Sequence, residues 1–131
     1  MTNHEIIKKL KTSKFRNSFH LKEKEIEYIK EKGMETVKRH AIDFINTKLA
    51  PANPLNDGKQ TPMKNHPVFI AMHACACCCR SCLYKWHHIP KNKELTDKEK
   101  EYILNLLITW IEKELKNKDT FNINKTNDIS K

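Results

Sequence analysis

Glycine is scarce in this sequence, with only two glycines among 131 residues. A many-turned β fold needs residues that tolerate tight turns, and glycine is the residue that does so most readily. Lysine, glutamate, isoleucine and leucine are abundant instead, and they favour helix. The composition therefore predicts an all-α fold, and the length is that of one ordinary domain.

Long apolar segments are also missing. No stretch approaches the roughly 20 residues that a helix needs to cross a bilayer. The beginning of the chain, MTNHEIIKKLKTSKFRNSFH, lacks the apolar run of a secretory signal. These absences predict a soluble cytoplasmic protein with no membrane association. A reducing compartment would keep the five thiols free, so metal binding or packing is expected rather than disulfide formation.

Arginine is rare in a basic chain. Lysine and arginine total 25 against 16 acidic residues, which gives a net charge of +9, yet only Arg16, Arg39 and Arg80 are arginines. Such a charge favours an anionic partner, with nucleic acid as the favoured class. The case rests on charge alone, because lysine makes poorer bidentate contacts with phosphate or guanine than arginine does.

Apolar spacing predicts a single compact domain of about five helices. Residues 1–13 are expected to be an N-terminal extension with a short or frayed helix, 14–116 the helical domain, and 117–131 a disordered polar tail. Gly33 should end a helix over 22–33, and a second helix should follow over about 34–48.

The last helix has the clearest signals. Thr96 and Glu99 have the spacing of a capping box. An apolar stripe follows at helical spacing, made of Tyr102, Ile103, Leu106, Leu107, Trp110, Ile111 and Leu115. This helix is the natural packing partner for any small-residue helix elsewhere in the chain.

A long irregular loop is predicted over 51–67, where four prolines and one glycine occur. Pro67 suits the first turn of a following cysteine-rich segment, expected to be helical from about 68 to 88, either as one helix or with a break. All five cysteines fall in HACACCCRSC, residues 73–82. On a continuous helix, four of them would share one face: Cys75, Cys78, Cys79 and Cys82.

The cysteine run admits three interpretations. Cysteine is a small and commonly buried apolar residue, so the face could simply pack against another helix. Alternatively, Cys79 and Cys82 could begin a zinc site, with His87 or His88 as a third ligand and His66 or His73 as a fourth. A redox role for the C-x-x-C spacing is disfavoured, since no βαβ context precedes it.

Polar residues of the loop suggest a second kind of site. His66 or His73 could act as acid or base, Asp57 could orient it, and Lys59 or Arg80 could stabilise negative charge in a small hydrolase. The chain has no P-loop, GxGxxG, HExxH or GxSxG motif, which does not exclude an enzyme because sites form in space. The residues predicted to contact a ligand are Gln60, Thr61, Lys85 and Trp86.

The segment NDGKQTPMKNHPVFIAMHACACCCRSCLYKWHHIPK closely resembles the signature of a small bacterial family, the domain of unknown function numbered 4186. The similarity extends upstream through KFRNSFHLKEKEIEYIKEKG and downstream into ELTDKEKEYILNLLITWIEKEL, covering roughly residues 14–115. The resemblance brings no activity with it. It implies that Cys75 and Cys77 stand where the family has threonine, which makes them unlikely ligands.

The resemblance leaves Cys78, Cys79 and Cys82 with one histidine as a chemically sensible metal site, and His87 is taken as the fourth ligand. The leading hypothesis is a small basic protein with this Cys/His site, expected to bind zinc, beside the DGKQTP loop. It would bind or act on an anionic partner. The alternatives are the acid–base hydrolase and a helical interaction module whose cysteines only pack.

Overall fold

The computed structural model describes residues 2–130, with side chains described as far as Lys118. Over that range the fold is all-α, with seven helices, one π-helical segment and no strand, as the fold-class prediction expected. The helices are α1 Asn3–Leu10, α2 Lys14–Asn17, α3 Glu23–Lys32, α4 Met34–Phe44, the π-helical segment Ile45–Leu49, α5 Pro67–Ala74, α6 Arg80–His87 and α7 Asp97–Ser130.

Local capping signals place several helix ends where they were predicted. Gly33 separates α3 from α4 with a φ of 85°, a conformation that glycine adopts without a Cβ penalty. At the start of α7, the Thr96 amide donates to Glu99 Oε1 at 2.9 Å and the Glu99 amide donates to Thr96 Oγ1 at 3.1 Å. The predicted capping box is confirmed.

The core lies around α5, which is apolar on every side, as is typical of a central helix. Its largest packing partner is α7. The predicted α7 stripe is confirmed: its fully or nearly fully buried members are Ile103, Leu106, Leu107, Trp110 and Ile111. The segment expected to be an N-terminal extension contains α1, which buries Ile6, Ile7 and Leu10 in the same core.

The cysteine-rich segment predicted to be helical from about 68 to 88 is broken rather than continuous. Helix α5 ends at Ala74 and α6 begins at Arg80, so the cysteines occupy the turn between two helices. The expected single face of cysteines does not exist. This break is one reason why the helices outnumber the five that were predicted.

A Schellman motif ends α5. The Cys77 amide donates to Met72 O at 2.7 Å and the Ala76 amide donates to His73 O at 3.3 Å. Ala76 takes the position that glycine usually occupies, with a φ of 56°. A left-handed conformation costs an L-residue roughly 1–2 kcal/mol. Because alanine occupies this position, no glycine or proline in the sequence indicates where the helix breaks.

The predicted disordered tail over 117–131 falls mostly on residues whose side chains lie outside the described range, and it stays a prediction. Within the described residues, no helix combines the length and the apolarity needed to span a membrane.

Candidate metal centre

Three thiols meet in the turn between α5 and α6. The sulfur atoms of Cys78, Cys79 and Cys82 all lie within 4.8 Å of one another. Cys79 caps α6, and its Sγ accepts a hydrogen bond from the Cys82 amide at 3.3 Å. Cys78 and Cys79 are buried, whereas Cys82 is partly exposed. The cluster therefore sits at the edge of the core with one member open to solvent.

The spacing of this cluster suits a metal ion. The Cys78 thiol donates to Cys82 with an Sγ–Sγ distance of 3.7 Å. Zinc–thiolate bonds of about 2.3 Å in a tetrahedral site imply sulfur–sulfur edges of about 3.8 Å. The two sulfurs are thus already separated by the edge of a zinc–thiolate tetrahedron, and far more than the roughly 2 Å of a disulfide.

Arg16 is the positive charge at the cluster. It lies 62 and 66 residues before Cys78 and Cys82, and its guanidinium donates to their sulfurs at 3.5 and 3.0 Å. A third hydrogen bond from the same group reaches His73 O at 2.8 Å. Burial alone would lower the pKa of Arg16, but the cysteine partners outweigh burial and raise it. The cluster therefore has a permanent cation beside it.

The three thiols do not ionise alike. Hydrogen bonds from Cys78 and Cys79, supported by the Arg16 charge, lower the pKa of Cys82 far below its ordinary value. Hydrogen bonds with Cys78 and Cys82, together with burial, raise the pKa of Cys79. A hydrogen bond with Cys79 lowers the pKa of Cys78, but the bond to Cys82 and burial outweigh it and raise the pKa overall. Cys82 is therefore the thiolate of the group.

Cys75 and Cys77 have a different environment. Both are fully buried, and burial raises the pKa of each thiol well above its ordinary value. The predicted ligand His87 lies on their side: its Nε2 is 2.8 Å from Cys75 O and 3.7 Å from Cys77 Sγ. Its Nδ1 is 2.7 Å from the Tyr102 hydroxyl. Among the described residues, His87 is not part of the three-thiol group.

The DGKQTP loop folds over the thiol turn. Asp57 accepts hydrogen bonds from the Arg80 amide at 2.8 Å and from the Ser81 amide and hydroxyl at 3.2 and 2.8 Å. Gln60 donates to Asp57 at 2.9 Å. Burial would raise the pKa of Asp57, but these donors outweigh burial and lower it. Asp57 therefore caps the first turn of α6, and its observed hydrogen bonds reach neither His66 nor His73.

Thr61 connects the loop to α5 and to the thiol turn. Its hydroxyl donates to Cys78 O at 2.8 Å, and its carbonyl lies 3.1 Å from His73 Nε2. Pro62 O lies at the same distance from that nitrogen. Burial lowers the pKa of His73 despite these two carbonyls, which keeps the ring neutral near pH 7. Thr61 is thus a buried support of the turn rather than an exposed ligand contact.

Arg80 has a structural position. Its side chain is only 2% exposed and donates to four backbone carbonyls, those of Leu49, Pro51, Pro90 and Lys93. These bonds hold both flanking loops against α6. The Arg80 guanidinium was predicted to stabilise negative charge on a ligand. In the structure it donates its hydrogen bonds to backbone carbonyls.

His66 caps the start of α5 and lies in an aromatic cluster. Its Nδ1 accepts from the Val68 amide at 3.0 Å, and its Nε2 is 3.0 Å from His40 Nδ1. The rings of Tyr28 and Phe44 stand edge-on to it at centroid distances of 5.1 and 5.2 Å. Burial and the neighbouring His40 lower the pKa of His66 to about 4. His66 is a helix cap within packed rings.

The remaining predicted residues have no common site. Lys59 and Lys85 are exposed, and Trp86 packs partly buried against the core. The residue that sequence reasoning missed is Arg16, because nothing local links position 16 to the cysteines. The signal that could have found it is the rarity of arginine in this chain. Where lysine supplies most of the positive charge, an arginine tends to mark a site that needs several fixed hydrogen bonds.

Comparison with known proteins agrees with the resemblance seen in the sequence. The chain belongs to the family described as Domain of unknown function (DUF4186), which matches residues 4–112. No solved structure matches the chain. The match includes Arg16, the DGKQTP loop and all five cysteines, so the described thiol centre lies wholly within the family domain.

Proposed function

We propose that this domain binds one zinc ion through Cys78, Cys79 and Cys82, and that its basic surface binds nucleic acid. The observation behind the first part is the group of three sulfurs within 4.8 Å of one another. Thiolates are soft ligands that favour zinc among the common divalent ions, and zinc brings no redox chemistry of its own. Bound zinc would act as a Lewis acid and polarise its fourth ligand.

Charge balance supports the site. Three thiolates and Zn²⁺ have a net charge of −1, and the Arg16 guanidinium beside Cys78 and Cys82 neutralises it. An uncompensated charge at the edge of the core would be costly. Arg16 also donates hydrogen bonds to two of the three sulfurs, as second-shell groups around metal ligands usually do.

The metal content of protein purified without an affinity tag tests this proposal. We expect about one zinc per chain in the wild type. Cys82→Ala should lose the ion, whereas Cys75→Ala, a matched change in the same run, should retain it. Protein that purifies and refolds without zinc, and does not take it up, would contradict the metal site.

The proposal of an anionic partner rests on the positive charge of the chain and on a groove in its surface. A groove of about 760 Å³ between α1 and α7 is lined by basic side chains with one acidic neighbour, Glu112. That volume would accommodate a nucleotide-sized group. The basic members are His4, Lys11, Lys113 and Lys116. With the net charge of +9 and no motif for sequence recognition, contacts to phosphate are expected to dominate.

Binding to generic DNA and RNA at several salt concentrations tests this second part. Retention should be seen at low salt and should fall steeply as salt rises. The double change Lys113→Glu and Lys116→Glu should weaken it. The same change of charge at Lys30 and Lys32 on α3, which do not line the groove, is the control. No retention at low salt would contradict a nucleic-acid partner.

A further inference from the structure

A tetrahedral zinc site needs a fourth ligand beyond the three thiols. Among the described residues, no fourth cysteine, histidine, aspartate or glutamate joins the group. The fourth ligand must therefore be a side chain that moves in, or a molecule from outside. The hydrogen bonds of His66, His73 and His87 distinguish between these possibilities.

His66 has both ring nitrogens in use. The Val68 amide can only donate, so Nδ1 of His66 must be the unprotonated nitrogen that accepts from it. The proton of the neutral ring is then on Nε2, which donates to His40 Nδ1. Nε2 therefore has no lone pair to offer a metal, and Nδ1 is occupied at the start of α5.

His87 also has both ring nitrogens in hydrogen bonds, with its proton on the same nitrogen as in His66. The Cys75 carbonyl can only accept, so Nε2 of His87 carries the proton and donates to it at 2.8 Å. Nδ1 of the neutral ring then accepts from the Tyr102 hydroxyl at 2.7 Å. Ligation by His87 would break both short bonds, and the ring sits beside Cys77 rather than the three-thiol group.

His73 is the exception. Its Nε2 faces the carbonyls of Thr61 and Pro62 at 3.1 Å, so the proton lies on Nε2 and Nδ1 has a free lone pair. Nδ1 has no hydrogen-bond partner among the described residues, although the side chain is only 6% exposed. A buried acceptor without a partner calls for an explanation. Histidines that bind metal ions usually donate their other N–H to a carbonyl, as His73 does.

Two residues tie His73 to the thiols. Arg16 contacts the His73 carbonyl with Nη1 and Cys82 Sγ with Nη2. Thr61 accepts from the His73 ring and donates to the Cys78 carbonyl. The free lone pair thus belongs to a side chain that shares both of these neighbours with the sulfur ligands.

We infer that His73 Nδ1 is the fourth ligand, which makes the centre a Cys3His site closed by the last turn of α5. This inference rests on the proposed zinc binding. Because the His73 ring lies outside the three-sulfur group, either the ring or the thiol turn moves when the ion binds. The site joins α5 to α6 across the turn that contains Ala76.

Cobalt substitution tests this ligand. We expect wild-type protein to give a tetrahedral Co²⁺ spectrum that added imidazole does not change. His73→Ala should bind Co²⁺ at least roughly 10- to 100-fold more weakly, and imidazole should restore its affinity and spectrum. His87→Ala is the matched control and should keep the wild-type spectrum without imidazole.

The outcomes separate this inference from the metal site itself. A wild-type Co²⁺ spectrum that shifts with imidazole would mean an open fourth position and would overturn the role of His73. Wild-type protein that binds no cobalt would overturn the zinc site together with this inference. A measurement without substitution gives a second check: in ¹⁵N-histidine-labelled protein, zinc should shift the His73 Nδ1 resonance, and an unshifted signal in zinc-loaded protein contradicts ligation.

Discussion

The cysteine run has two halves with opposite environments. Cys75 and Cys77 belong to the end of α5, are fully buried and have thiols that burial keeps protonated. Cys78, Cys79 and Cys82 belong to the start of α6 and gather beside the Arg16 guanidinium. The residue type is the same in both halves. What differs is the supply of nearby donors and charge, which decides whether a thiol packs or can bind an ion.

Alkylation should separate the two halves by the largest factor. In metal-free protein near pH 7, iodoacetamide should react first with Cys82, the partly exposed member whose pKa is lowered. Cys75 should react at least roughly a thousandfold more slowly, because access requires an opening that costs about 5 kcal/mol or more. Peptide mass spectrometry over a time course measures both rates. If Cys75 and Cys82 react at equal rates in the native protein, and at the rates seen in denaturant, the two halves of the cysteine run do not differ.

Acid should weaken the α5 side of the fold through His66, which contacts none of the thiols. Its pKa is about 4 in the folded protein against 6.5 when unfolded, so between these values the unfolded chain binds the extra proton. Stability present above pH 6.5 is therefore lost as pH falls, by roughly 3 kcal/mol at pH 4. Denaturant titrations between pH 7 and pH 4 measure the loss.

The matched variant for this acid effect is His66→Asn. Asparagine keeps an acceptor for the Val68 amide at the start of α5 but does not titrate. Its stability should be lower at pH 7 and should depend less on pH. A pH dependence identical to that of the wild type would show that His66 is not the group responsible.

The α6 side should be weakened by the loss of Asp57. Asp57→Ala removes the acceptor of three hydrogen bonds at the first turn of α6, which should cost about 2 kcal/mol. Zinc affinity should fall with it, because Cys79 and Cys82 lie in that turn. Asp57→Asn keeps one acceptor oxygen, so its stability should lie between those of the wild type and the alanine variant. Wild-type stability for the alanine variant would contradict the capping role.

The smallest effect is expected at the boundary between the halves. Ala76→Gly relieves a left-handed backbone but removes a buried methyl group, and each contribution is close to 1 kcal/mol. The net change in the free energy of unfolding should stay below about 1 kcal/mol. Ala71→Gly, inside α5, gains no such relief and should cost about 2 kcal/mol. Equal losses for the two variants in urea titrations would contradict a strained Ala76.

Much of the helical framework was predictable from local signals. Gly33, Pro67 and the Thr96–Glu99 box each act through their own backbone neighbours, so the sequence alone places those helix ends. The break at Ala76 was not predictable, because its left-handed turn uses alanine where glycine would have marked it. The free energy of tertiary packing offsets the cost of this left-handed conformation.

The site was only partly predictable for the same kind of reason. The grouping of Cys78, Cys79 and Cys82 follows from their closeness in sequence, and the structure brings their sulfurs together. Arg16 comes from a distant part of the chain, and its contact depends on how α2 packs against α5. Asp57 was expected to be catalytic, and in the structure its carboxylate caps α6. A polar residue type does not reveal whether its partner is a ligand or the backbone.

X-ray absorption at the zinc edge of zinc-loaded, tag-free protein tests the central claim most directly. We expect one zinc per chain with three sulfur ligands at about 2.3 Å and one nitrogen at about 2.0–2.1 Å. The same data on Cys75→Ala should be unchanged. A first shell without sulfur would contradict a metal centre built from Cys78, Cys79 and Cys82, and a shell of four sulfurs would contradict the division of the cysteine run into two halves.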